Sequence, residues 1–315
     1  MPKIASDVIE VVSVNVSTEK GTIKRPVDEI VINDRGIAGD AHSGAWHRQI
    51  SVLGKSSVDR FVEVTGRDIA PGEFAENILL RGIDLNDVAI LDRFKIGDVE
   101  LEVTQIGKEC HGDACAIFRE VGQCVMPKEG IFCRVIQPGT IRAGDQVQYL
   151  PRTLMFKIIT LSDRAHKGEY EDRSGPKIRE LLEDFLADTR WHPAFDQTVL
   201  PDDPDALRAE ITNARNAGSD VIFTTGGTGV GPRDITPDVV TKLCDKLIPG
   251  IMDHIRLKFG ADKPNTLLSR SVAGVAGNTL IYTLPGSVRA VQEYMQEILK
   301  TLEHLLLTLH GLDDH

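Results

Sequence analysis

No apolar run in this chain of 315 residues approaches the length of a bilayer-spanning helix. The first residues, Met1 to Asp7, show no basic region followed by an apolar core, so no secretory leader is expected and the location read from the sequence is cytoplasmic. A basic excess is missing too. The formal net charge is -11, which leaves nothing to displace counterions and excludes a general nucleic-acid binder. Cysteine is scarce, and its odd count of five suits reduced thiols better than a disulfide framework. No Cys-x-x-Cys pair occurs, so no common zinc knuckle is spelled out. Cys110, Cys115, Cys124 and Cys133 still fall within one short segment, and with His111 they leave a zinc site open.

Two familiar phosphate signatures are absent as well. Gly226 and Gly231 have P-loop spacing, but Pro232 and Arg233 stand where Lys and Ser or Thr belong. Counting from Gly227 and Gly229, the third glycine of a dinucleotide fingerprint falls on Pro232. What is present is a different glycine-rich stretch, Asp220 to Asp238. Val221 to Phe223 reads as a buried strand, and glycines follow at 226, 227, 229 and 231 with Thr224, Thr225 and Thr228 among them. Thr236 and Pro237 read as a helix start, with Thr236 expected to cap the first amides. Strand, glycine turn and helix start suit an anion held by main-chain amides. Asp234 and Asp238 lie beside it, where carboxylates can share Mg²⁺ with a phosphate. A plain flexible turn is the competing explanation.

The length points to two domains. Residues 1–150 read as many short strands separated by glycine turns, a barrel or folded sheet. Strands are expected over 8–16, 26–33, 49–53, 74–80, 93–96, 99–106, 130–137 and 145–150, with a helix over 56–64. Gly97 and Asp98 mark a hairpin. The pattern then changes to alternating strands and helices over 151–315, which reads as a doubly wound α/β sheet. Such sheets bind ligands at the carboxyl ends of their strands. Ser162 to Arg164, Pro201 to Asp203, Thr224 to Asp238 and Pro285 to Ser287 occupy those ends.

Five pieces of the first half resemble MOSC domains, named for the C-terminal region of molybdenum cofactor sulfurase. They are Gly36-Ile-Ala-Gly-Asp40, His47-Arg-Gln-Ile-Ser51, Glu76-Asn-Ile78, Phe94-Lys-Ile-Gly-Asp98 and Gln105-Ile-Gly-Lys-Glu-Cys110, in that order within residues 5–148. The resemblance implies a β-barrel-like fold that handles molybdenum cofactor or sulfur, with Cys110 at the position such domains use. Lys108 and His111 beside Cys110 would favour its thiolate, although a free cysteine is also a common core residue.

The second half resembles the molybdopterin adenylyltransferase family across most of residues 154–310. The pieces are Leu161-Ser-Asp-Arg164, Gly168-Glu-Tyr-Glu-Asp-Arg-Ser-Gly-Pro176, Val199-Leu-Pro-Asp202, Thr225-Gly-Gly-Thr-Gly229 with Arg233-Asp-Ile-Thr-Pro-Asp238, and Leu284-Pro-Gly-Ser287. Related molybdenum-insertion domains share the fold, but Asp202 and Asp234 together look more like the adenylylating type. The resemblance implies a three-layer molybdopterin-binding domain with molybdopterin and ATP as substrates and Mg²⁺ as cofactor. It implies Asp202 and Asp234 as essential acids that hold the metal. Ser162, Ser174, Gly175, Thr225, Gly226, Gly227, Thr228, Gly229, Pro285 and Gly286 would lie at the ligand pocket, as would Ser269 and Arg270 of Leu268-Ser-Arg-Ser271, with Arg270 on the pterin phosphate. Asp238 is secondary, since it can equally act at the helix start. A homo-oligomer is expected, a trimer being common in relatives, together with other cofactor-biosynthesis or molybdoenzyme proteins as partners.

The expected function is adenylylation of molybdopterin, fused to a domain that handles cofactor or sulfur. The rival expectations are a non-catalytic molybdopterin carrier and sulfur transfer through Cys110.

Overall fold

A computed structural model describes residues 8–108 and 125–312. The chain divides into two compact units, Met1–Arg152 with Arg190–His192, and Thr153–Thr189 with Pro193–His315. Among the described residues no helix is long and apolar enough to cross a membrane.

The first unit holds β1 (Ile9–Val16), β2 (Arg25–Val27), β3 (Glu29–Asn33), β4 (Gly36–Ile37), β5 (Ile50–Gly54), β6 (Ile78–Arg81), β7 (Arg93–Ile96), β8 (Val99–Ile106), β9 (Ile131–Gln137), β10 (Gly139–Arg142) and β11 (Gln146–Leu150). The main sheet runs β11-β7-β8-β9-β5-β6-β1-β2, and β11 also pairs with β1, which closes the sheet on itself. Closure removes the exposed edges that short strands would otherwise present. Ile9, Val11, Ile50, Val52, Ile78, Phe94, Leu101, Val103 and Ile131 fill its core. Gly97 takes a left-handed backbone at the β7–β8 hairpin, as its sequence predicts.

Three expectations change here. The strand expected over 26–33 splits at Asp28, because β2 pairs with β1 whereas β3 joins β10 and β4 in a separate sheet. The strand expected over 74–80 begins only at Ile78, because Ala75 has φ 63° and turns the chain. Between the strands expected over 130–137 and 145–150 the structure adds a further strand, β10.

Two of the motif pieces meet inside this barrel. Asp40 Oδ2 accepts from Lys24 Nζ at 2.5 Å, Asn77 Nδ2 at 3.0 Å and the Ser17 amide at 3.1 Å. Burial alone would raise the Asp40 pKa, but hydrogen bonds from His42 and Lys24 outweigh it and hold the carboxyl well below the usual range. Glu76, 1% exposed, differs. One oxygen accepts from the Gly72 amide at 2.5 Å, while the other has no protein partner among the described residues. Burial pushes its pKa up to about 7. Cys133 is fully buried in the same core, and burial raises its thiol pKa, so it reads as a packing residue.

The second unit holds β12 (Thr153–Leu161), β13 (His192–Leu200), β14 (Val221–Thr225), β15 (Lys246–Leu247), β16 (Ala273–Ala276) and β17 (Thr279–Leu284), in sheet order β13-β12-β14-β17-β16-β15. β12, β14 and β17 run parallel, β16 pairs antiparallel with β17, and β15 pairs antiparallel with β16. Every residue of β14 and β17 is buried, as expected of strands covered on both faces. Ile159, Ile222 and Ile281 pack with Leu207 and Ile211 of the helix Pro204–Asn216 and Val239 and Val240 of the helix Thr236–Leu243. The alternate residues Phe223 and Tyr282 stack with ring centroids 5.2 Å apart. The helices Ser174–Leu186 and Val288–Leu309 contact each other and strands of the sheet.

Several elements were not expected, the short strands β15 and β16 and two helices among them. The loop after Leu161 contains a short helix, Asp163–His166, capped by Ser162. The helix Pro249–Gly260 precedes the Lys263–Pro264 segment, and its apolar residues are too scattered to announce a buried face: Met252, Ile255 and Gly260 alone are buried.

Glu76 yields a pH prediction. Its folded pKa lies above the unfolded value, so the native barrel binds the proton more tightly. The resulting stabilisation is full below the unfolded pKa of 4.5 and lost as pH rises through about 7. Glu76→Gln should flatten this dependence, which amounts to at most about 3 kcal/mol. Denaturant midpoints of wild type and variant across this range check it; parallel curves would contradict it.

Candidate active site

The parallel register aligns three strand ends. Thr160 lies opposite Thr225, and Thr225 opposite Leu284, so the segments after β12, β14 and β17 leave the sheet together. A cavity of about 310 Å³ opens there, lined by Thr160, Ser162, Tyr170, Ser174, Thr225, Gly227 and Gly286 and by the charged residues Asp202, Asp234 and Arg233. Asp202 arrives from the end of β13. Its amide donates to Asp163 Oδ1 at 3.0 Å, and the Asp163 amide donates back to Asp202 Oδ2 at 3.5 Å. Burial raises the Asp202 pKa, and the nearby charges of Asp163 and Asp234 add to it while Arg233 opposes it.

The glycine loop is built so that its carbonyls turn inward. Thr236 Oγ1 donates to the Gly226 carbonyl at 2.8 Å, and the Thr236 amide to the Gly227 carbonyl at 3.1 Å. Arg270 continues the series: its amide donates to the Thr228 carbonyl at 2.8 Å and its Nε to the Gly229 carbonyl at 2.7 Å. Four consecutive carbonyls are thus satisfied from behind. Among the described residues, no protein acceptor takes the amides of Gly227, Thr228 or Gly229. This is the layout of an anion-binding nest. Gly226 has φ 105° and its α-carbon faces the Leu161 carbonyl, where an added Cβ would lie 2.3 Å from the oxygen. Asp234 closes the loop by accepting from the Gly231 amide at 2.8 Å.

The Thr236 hydroxyl therefore does not cap its own helix, as expected from sequence; the residue lies inside the first turn and its side chain anchors the loop instead. Arg270 is likewise committed. Besides the loop carbonyls it donates to the Asp234 carbonyl at 2.5 Å and forms a two-pronged pair with Asp238 at 2.9 and 3.0 Å. Arg270 and Asp238 are thus loop anchors in this geometry rather than open ligand groups.

The other side of the loop faces a second cavity of about 470 Å³, lined by Thr228, Gly229, Ser269, Pro285 and Tyr294 among others. Tyr294 is 1% exposed, and its hydroxyl has no protein hydrogen-bond partner among the described residues. The residues singled out from sequence thus fall into two groups, and the loop is the wall between them. Ser174 and Gly175 sit at a helix start that Asp172 organises: its Oδ1 accepts from the Ser174 amide and hydroxyl, both at 2.9 Å, and its Oδ2 from Thr160 Oγ1 at 2.7 Å. Asp163, Asp172, Arg233 and Tyr170 were not singled out, although each lies in a motif piece. Cys110, His111, Cys115 and Cys124 lie outside the described residues. Among the described residues no three His, Cys, Asp or Glu side chains cluster to hold a metal. Asp202 and Asp234 line the same cavity, two carboxylates of the type that Mg²⁺ takes alongside phosphate oxygens.

A family model described as a probable molybdopterin binding domain matches residues 157–304, and a MOSC domain model matches residues 39–148. The molybdopterin adenylyltransferase of Helicobacter pylori strain J99 is 32% identical over 161 residues, covering 51% of this chain and 90% of that protein. The chain belongs to the molybdopterin-binding domain family. In one chain it joins that domain to a MOSC domain. The molybdenum cofactor synthesis protein cinnamon of Drosophila melanogaster is 36% identical over 153 residues, covering 48% of this chain but 25% of that protein. The solved structure of the molybdopterin biosynthesis Mog protein from Mycobacterium ulcerans is 34% identical, with a TM-score of 0.46, covering 51% of this chain and 99% of that one.

In this molybdopterin-binding domain the loop geometry depends on Gly226. Gly226→Ala should cost at least about 2 kcal/mol, from left-handed strain and the clash with Leu161. Denaturant unfolding of the full chain checks this, and an unchanged midpoint would show that the loop is not held against Leu161.

Proposed function

We propose that the C-terminal unit acts in molybdenum cofactor biosynthesis by transferring an adenylyl group from Mg-ATP to the terminal phosphate of molybdopterin. The observation that carries this reading is one amide-presenting loop shared by two cavities, with Asp202 and Asp234 both on one side, whereas the acid on the other side, Glu293, is paired with Lys263 and Arg289. A two-substrate transfer needs its reacting phosphates to meet at a common wall, and phosphoryl chemistry depends mostly on such positioning and on charge stabilisation.

In this reading an oxygen of the molybdopterin phosphate attacks the α-phosphorus of ATP, the bond to the β-phosphate breaks, and pyrophosphate leaves. The free amides of Gly227, Thr228 and Gly229 hold phosphate oxygens at the shared wall. Asp202 and Asp234 mark the nucleotide side, bounded by Ser162, Ser174, Thr225 and Gly286, with Gly175 behind Ser174 at the helix start. Asp202 and Asp234 would hold Mg²⁺, whose charge would offset the negative charge that builds up in the transfer. Ser269, Pro285 and the unpartnered Tyr294 hydroxyl bound the pterin side. Arg270 and Asp238 keep the loop carbonyls turned away from both substrates.

The layering is read as doubly wound, with the helices 204–216 and 236–243 on one face of the sheet and 174–186 and 288–309 on the other. A homo-oligomer, and hand-over to other cofactor-biosynthesis or molybdoenzyme proteins, belong to the same proposal. So does cofactor or sulfur handling by the MOSC domain through Cys110. A carrier that held the pterin without catalysis would have no use for acids on the nucleotide side, and this favours the enzyme.

Asp202→Asn and Asp234→Asn should each lower molybdopterin-dependent pyrophosphate release from Mg-ATP by about 100-fold or more, with unfolding midpoints close to wild type. Release that continues at the wild-type rate in both variants would sink the assignment.

A further inference from the structure

Among the described residues that line the first cavity, Arg233 is the only cation, beside Asp202 and Asp234. Its position contrasts with that of Arg270. Arg270 spends its guanidinium on loop carbonyls and Asp238, whereas Arg233 reaches one acceptor, Asp163 Oδ2 at 3.3 Å, with its side chain 77% exposed. A single exposed contact of this kind holds weakly. Asp163 is held more firmly at its other end, where Oδ1 accepts the Asp202 amide at 3.0 Å. The pair thus has one fixed member and one poised member, and the poised member stands at the mouth of an acidic cavity.

We propose that Arg233 is the group that takes the departing pyrophosphate portion of the nucleotide, and that Asp163 is its resting partner. In this account, which rests on the adenylyl-transfer reading, the guanidinium leaves Asp163 when the β- and γ-phosphates enter. Its planar fork then pairs with phosphate oxygens, an arrangement that is stronger and more directional than its contact with one carboxylate oxygen. Asp163 is a positioning residue. It parks Arg233 near the cavity when no phosphate is present, and it competes with phosphate for the same guanidinium. The cavity's own acids would otherwise repel a polyphosphate, so a cation that can move in with the ligand offsets a cost that the amides of the loop only partly cover.

The competition gives a signed test. Binding of inorganic pyrophosphate to the full chain is measured by calorimetry at fixed Mg²⁺, for wild type, Arg233→Ala, Arg233→Lys and Asp163→Asn. Asn at 163 keeps the oxygen that accepts the Asp202 amide and removes the charge that holds Arg233. Arg233→Ala should weaken binding about tenfold or more, and Arg233→Lys should recover part of the loss. Asp163→Asn should tighten binding several-fold, because the competitor is gone. A merely structural bridge would move Arg233→Ala and Asp163→Asn in the same direction. Weakening in both, no change in Arg233→Ala, or no binding by wild type would overturn the proposal. The predicted opposite shifts without any molybdopterin-dependent turnover would instead sink the adenylyl-transfer reading and leave Arg233 as a phosphate ligand.

Discussion

The C-terminal unit depends on how the carbonyls of residues 226–229 are held. A glycine turn left to itself samples many conformations, and its amides point nowhere in particular. Here Thr236 fixes the first two carbonyls, and Arg270 fixes the next two while pairing with Asp238. With the acceptors occupied, the amides of 227–229 are what the loop presents. The physical cause is simple: each peptide carries one donor and one acceptor on opposite sides, so pinning one side aims the other. Phosphate binding is then a consequence of hydrogen bonds made on the far side of the loop. The acids follow from the same frame, since Asp234 is tied to the Gly231 amide and Asp202 is locked to Asp163 at a neighbouring strand end.

The barrel unit shows a different use of polar groups. Its motif residues Asp40 and Asn77 meet each other and Lys24 in the interior, where an unpaired member would be costly. These residues read as a framework that fixes loop to barrel. Glu76 is the exception within that framework, with a buried oxygen that has no partner among the described residues and a pKa shifted toward neutrality. Buried networks of this kind define one arrangement of the chain more than they add stability.

Much of this was legible in the sequence because it is local. Strand, glycines and helix start follow one another between Val221 and Thr236, and the strand ends that carry Ser162, Asp202 and Pro285 are marked by polar residues after apolar runs. What was not legible depends on residues far apart in the chain. Asp163 meets Asp202 across 39 positions and Arg233 across 70, so no spacing rule could join them. The Thr236 hydroxyl was misread for a related reason. At a helix start a cap is the usual partner, and only the folded loop offers the Gly226 carbonyl instead. β16, Ala273–Ala276, consists of small residues with one β-branched side chain, and its strand geometry comes from pairing with β17 rather than from propensity.

The most direct measurement is the fate of the α-phosphorus. The full chain is incubated with molybdopterin, Mg²⁺ and ATP labelled at the α-phosphate, and the products are separated. Label should appear covalently joined to molybdopterin, with one pyrophosphate released per label transferred. Molybdopterin that binds the chain while all of the label stays in ATP would contradict adenylyl transfer.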